Sequence, residues 1–79
     1  MNTTIRQLLS RHGRLPVEVE QIKDDQDLYA AGLTSFSAVQ LMLGLEDAFD
    51  IEFPERMLNR KTFSSIESIQ TCLTELLPN

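Results

Sequence analysis

A single cysteine (Cys72), a single histidine (His12) and no tryptophan leave this 79-residue chain little of the chemistry small domains often lean on. One thiol cannot close an internal disulfide, and a reducing compartment suits the chain. His12 and Cys72 fall short of the about four ligands that a structural zinc site needs. The longest apolar stretch, around Leu41–Leu45, is far below the about 20 residues that cross a bilayer. The opening Met1-Asn2-Thr3-Thr4-Ile5-Arg6 has no apolar run of the secretory kind, so a cytoplasmic location away from membranes is expected. The three glycines, Gly13, Gly32 and Gly44, stand apart and build no phosphate-cradling loop. Lys and Arg are missing altogether between Asp24 and Glu55.

That last gap organises the charge. Its eight acids are Asp24, Asp25, Asp27, Glu46, Asp47, Asp50, Glu52 and Glu55, while the rest of the chain is net positive, seven basic against four acidic residues. Arg56, Arg60 and Lys61 follow directly as the one basic cluster. So negative a block repels a phosphate backbone, which argues against nucleic acid, and it steers toward a protein with a basic patch. With 42% hydrophobic and 24% charged residues, the chain is expected to fold as one globular domain over residues 1–79.

Hydrophobic spacing predicts mostly helix. Ile5, Leu8, Leu9 and His12 share one helical face, with Thr3 or Thr4 as its cap and Gly13 as a left-handed stop. Residues 14–34 show no sustained period and read as a long loop anchored by Ile22, Leu28 and Tyr29, its Asp24–Asp27 run solvated. Thr34 caps a second helix over Ser35–Phe49, with Val39, Met42, Leu45 and Phe49 as its buried stripe and Phe36 and Leu43 left partly exposed. Pro54 opens a short helix at Glu55–Leu58. A capping box from Ser64 to Glu67 starts a last helix carrying Ile66, Ile69, Leu73 and Leu76, which Pro78 ends, with Cys72 as a small packing residue. The sum is an all-α fold, a small antiparallel four-helix bundle of three longer helices and one short one, with a long loop between the first two.

Catalytic groups are nearly absent. His12 has no visible partner triad, and the adjacent carboxylates of Glu46 and Asp47 diverge by about 100° on a helix. No metal site and no enzyme are expected. Ser35 stands out by position: it follows a glycine-containing turn at the amino end of a strong helix, where a phosphate would meet unpaired N–H groups and the positive dipole end. The plainer reading, that Ser35 shares the capping with Thr34, is preferred on geometry alone.

Three segments change that balance. Gly32-Leu33-Thr34-Ser35-Phe36, Val39-Gln40-Leu41, and Glu46-Asp47-Ala48-Phe49-Asp50-Ile51-Glu52-Phe53-Pro54 together resemble the acyl carrier proteins, with a likeness running from about Leu28 to Leu76. The resemblance implies that Ser35 receives 4′-phosphopantetheine from coenzyme A through a phosphopantetheinyl transferase. Cargo then rides as a thioester on the arm. Thr34 stands where the family usually has Asp, and Phe36 where it has Leu. Ser37 and Gln40 replace acids common in fatty-acid carriers, which points away from the ordinary fatty acid synthase. Leu28–Leu33 and Met57–Phe63 are similar to small stand-alone bacterial carriers charged with amino acids by truncated relatives of class II aminoacyl-tRNA synthetases.

The expected function is therefore a covalent tether that takes a small amino acid from such a ligase to a downstream acceptor enzyme. Phe36, Gln40, Met42 and Leu43 would meet the partner, with Thr34 behind Ser35 and Glu46 and Asp47 as rim charges. Two rivals remain in the carrier class, a fatty-acyl or polyketide carrier and a domain cut from a peptide synthetase. Met1 and the short Pro78-Asn79 end favour a stand-alone chain over the latter. A rival from another class is a non-covalent acidic adaptor that uses Phe36 without any prosthetic group.

Overall fold

The computed structural model describes residues 1–77 and contains three α-helices: α1 (Asn2–His12), α2 (Ser35–Phe49) and α3 (Ile66–Leu76). Single 3₁₀ turns at Val19–Gln21 and Glu55–Met57 interrupt the connections, and no strand occurs among the described residues. The expected short fourth helix is thus one 3₁₀ turn, for which Pro54 serves as the extended residue just before it. The Pro78 stop lies outside the described residues. None of these helices is long and apolar enough to cross a membrane.

Helix ends show where local reading erred. α1 begins at Asn2, so Thr3 and Thr4 sit inside its first turn and no side chain caps it. Gly13 closes α1 in right-handed geometry (φ −73°), and Arg14 takes the positive φ of 52° instead. Gly13 is needed for closeness rather than handedness, since a Cβ there would lie 2.6 Å from the Leu9 carbonyl oxygen. α3 is capped by Ser65, one residue later than expected. Its hydroxyl accepts the Ser68 N–H at 3.0 Å, while the Ser64 hydroxyl donates to the Lys61 carbonyl.

α1 packs on both α2 and α3, and no comparable packing joins α2 to α3. The connecting segments fill that space with Leu28, Leu33, Phe53, Met57 and Phe63, all buried, and the Phe53 and Phe63 rings meet edge to face at 5.5 Å. α1 contributes Ile5 and Leu9, and α3 contributes Ile66, Ile69 and Leu73. The buried stripe of α2 is Ser37, Ala38, Leu41 and Leu45, which shares Leu45 with the predicted one and is otherwise rotated from it. Val39 lies in solvent, and Met42 and Phe49 pack only at the margin of the core. Phe36 and Leu43 are exposed, as expected.

The long first connection is pinned near its middle, at Val19 and Asp24. Arg6 donates to Asn2, to the Val19 carbonyl and to the Asp24 carboxylate, and Asn2 donates to Asp24 and Gln70. The Asn2 hydrogen bond and then the Arg6 guanidinium hold the Asp24 carboxyl below its usual value of 3.8, against a small opposing desolvation. A depressed carboxyl contributes stability above its unfolded pKa and loses it as pH falls through the folded value. The stability difference between the wild type and Asp24→Asn is therefore expected to be largest at neutral pH and to shrink below pH 3.8. Urea denaturation of both proteins across acid pH checks this, and a constant difference would contradict it.

Candidate functional site at the start of the second helix

Local chemistry fixes the start of α2. The chain approaches through Gly32 at φ 123°, a conformation that L side chains rarely adopt. Thr34 is extended, and its hydroxyl oxygen accepts the Ser37 N–H at 3.0 Å while donating to the Ser37 hydroxyl. Ala38 N–H bonds the Thr34 carbonyl at 2.8 Å. The amides of Ser35 and Phe36 precede Ala38, the first intrahelical donor, and so have no acceptor within the helix.

A Cβ on Gly32 would stand 2.7 Å from Pro16 Cδ, a rigid ring atom. Gly32→Ala is expected to cost about 1–3 kcal/mol from backbone strain, with steric displacement added, and to disturb the approach to Ser35. Thermal unfolding, together with amide shifts at Thr34 and Ser35, tests it. Unchanged shifts and stability would show that the turn relaxes freely.

Ser35 is exposed in the first turn, on the wall of a cleft of about 370 Å³. The cleft continues over Ala38, Val39 and Met42 of α2, and Leu58, Phe63, Tyr29 and Arg60 also line it. Its lining is mainly apolar. Arg60 stands with its guanidinium carbon 4.0 Å from the Tyr29 ring centre. Burial pushes the Tyr29 hydroxyl upward, Asp27 adds to the shift and Arg60 opposes it.

The other residues singled out in the sequence divide by face. Val39 and Met42 line the cleft, whereas Phe36 (68% exposed) and Leu43 (49%) are exposed apolar residues outside it. Gln40 is half-buried. Glu46 and Asp47 part company, because the Glu46 carboxylate accepts the Phe53 N–H at 2.9 Å while Asp47 is exposed. Sequence reasoning missed Val39 as a surface residue, and missed Tyr29, Leu58, Asn59 and Arg60 as neighbours of Ser35. Leu58, 49% exposed just after a turn, adds an apolar side chain to the cleft wall.

An accessible hydroxyl, amides without a helical acceptor and an apolar trough fit an anionic prosthetic arm, and this agrees with the sequence family. Residues 3–73 match the phosphopantetheine attachment site family, and the chain belongs to that family. Its cofactor is 4′-phosphopantetheine, and its members are carriers rather than catalysts. The aminoacyl carrier protein of Agrobacterium fabrum is 57% identical over 77 residues, covering 98% of this chain and 93% of the relative. A carrier protein from Agrobacterium tumefaciens, solved with an engineered Bradyrhizobium japonicum glycine:carrier-protein ligase and AMP, superposes with a TM-score of 0.92. It is 58% identical, and the match covers 94% of this chain and 99% of that one. A glycylated carrier protein bound to the Bradyrhizobium japonicum ligase is 27% identical with a TM-score of 0.77, covering 90% and 95%.

Proposed function

We propose that this chain is an aminoacyl carrier in which residues 1–79 act as one unit and Ser35 bears the 4′-phosphopantetheine arm. The observation that carries the assignment is the exposed Ser35 hydroxyl, in the first turn of α2 at the wall of the apolar cleft. When attached, the arm supplies a thiol that holds the cargo carboxyl as a thioester. The protein's own residues present that arm. Thr34 fixes the first turn behind it, and the amides without a helical acceptor and the positive end of α2 favour the phosphodiester.

We further propose that three helices pack antiparallel, with the Glu55–Met57 turn standing in for the short helix of a four-helix bundle. The cargo is a small amino acid, glycine foremost, loaded by a ligase related to class II aminoacyl-tRNA synthetases. Similarity to carriers solved with a glycine ligase supports this reading. A phosphopantetheinyl transferase acts before loading, and a downstream acceptor enzyme takes the amino acid, all in the cytoplasm. Partners would dock on Phe36, Gln40, Met42 and Leu43 beside Thr34, with Asp47 steering from the rim and Glu46 bracing the Phe53 backbone. Such contacts are small and transient, and charge governs association rate more than affinity.

The test is intact mass before and after coenzyme A with a broad-specificity transferase, followed by ATP, a glycine ligase and an equimolar amino acid mixture. A phosphopantetheine-sized gain and then a glycine-sized gain are expected. An arm that accepts only fatty acids in parallel reactions would overturn the cargo assignment.

A further inference from the structure

The cleft beside Ser35 has one cationic side chain in its lining, Arg60. Arg60 forms no ion pair among the described residues, where the bridges are Arg6–Asp24 and Arg56–Glu75. Its position over Tyr29 comes from the attraction of a guanidinium to an aromatic face, and the planar N–H donors remain available around the edge. The residues flanking Ser35, from Leu33 to Ser37, are uncharged. The Asp27 carboxylate accepts the amides of Tyr29 and Ala30 and forms no ion pair with Arg60. A cation with no anionic partner among the described residues thus lines the same cleft as the candidate attachment hydroxyl.

We propose that Arg60, held over Tyr29, pairs with the phosphodiester of the arm on Ser35 and keeps the root of the arm in the cleft against Val39, Met42 and Leu58. This rests on the reading of Ser35 as the attachment residue. The sign of charge selects the end of the arm on which Arg60 acts. The phosphodiester is an anion, and a guanidinium pairs with it by directed, charge-assisted hydrogen bonds. An amino acid held through its carboxyl presents an ammonium group, which Arg60 repels. Arg60 is therefore a positioning residue that fixes the root and leaves the charged end outward for a partner enzyme.

The experiment compares apo- and holo-protein by ³¹P and methyl ¹H–¹³C spectra for the wild type, Arg60→Gln, Arg60→Lys and Tyr29→Leu. Each holo form is first verified by intact mass, and each apo spectrum is checked for an unchanged fold. In the wild type, attachment is expected to shift the methyls of Val39, Met42 and Leu58. In Arg60→Gln those shifts are expected to fall at least twofold, and the ³¹P line to move toward its position in urea-unfolded holo-protein. Arg60→Lys should retain part of the effect, Tyr29→Leu should weaken it, and 1 M salt should reproduce the loss in the wild type, as about 3 Å screening lengths require. Identical arm-induced shifts in the wild type and Arg60→Gln would overturn the proposal while leaving Ser35 as the attachment residue. No mass gain on the wild type would overturn both.

Discussion

Ser35→Ala is expected to abolish the phosphopantetheine mass gain and all amino acid loading while leaving the fold intact. The Ser35 side chain is exposed, and the capping of α2 is done by Thr34 through its bond to the Ser37 amide. Exposed substitutions of this kind change stability by about 0.5 kcal/mol or less, which in a domain of this size moves Tm by about 4 °C at most. Thr34→Ala makes the contrast, since losing the cap costs about 0.5–2 kcal/mol while keeping the hydroxyl of Ser35. Intact mass and thermal unfolding of the two variants separate attachment from scaffolding. The same pair decides against or for an adaptor, because an adaptor would keep its partner when Ser35 becomes Ala. A mass gain persisting in Ser35→Ala would move the arm to another residue.

Leu41→Ala should be among the most damaging substitutions for stability. Leu41 is fully buried in the α2 stripe that faces α1, and removing such a side chain costs about 2–5 kcal/mol. A chain of this length holds about 4–12 kcal/mol in total, so the variant would approach or cross its unfolding threshold at 37 °C. Phe49→Ala is expected to cost less than the about 3–5 kcal/mol of a fully buried aromatic, because Phe49 packs at the core margin. Val39→Ala should stay within about 0.5 kcal/mol, since Val39 is 49% exposed. Denaturant titrations rank the three, and a Val39 cost equal to that of Leu41 would place the wrong face of α2 in the core.

That ranking shows what the sequence conveyed and what it hid. The span Ser35–Phe49 and its Thr34 cap were legible because hydroxyl capping and helix continuity are local properties. So were the anchors Ile22 and Leu28 and the stripe Ile66, Ile69 and Leu73. The buried face of α2 was not. Two apolar rows that share Leu45 compete there, Ala38–Leu41–Leu45 against Val39–Met42–Leu45–Phe49, and the residues peculiar to the second are on average the larger. A helix that also serves partners carries apolar residues for two purposes, and periodicity alone does not sort them. The cleft was hidden for a different reason, since Leu58, Arg60 and Phe63 lie far from Tyr29 and Ser35 in sequence and join them only through tertiary packing. Glu46 was read as a surface charge because its bond to the Phe53 amide depends on how the chain turns back at Asp50, in left-handed geometry.

Two bonds tie the first connection to the start of α3, across a wide stretch of sequence. Leu28 N–H reaches the Ser64 carbonyl at 2.7 Å, and Glu67 N–H reaches the Asp24 carbonyl at 2.8 Å. Both join segments widely separated along the chain, the kind of non-local closure that comes late in folding and late in synthesis. The platform on which Ser35 is displayed is therefore completed by residues translated well after it. A chain that stops before Ser64 lacks both bonds, so a modifying enzyme that reads shape as well as sequence would meet the serine on an unfinished platform.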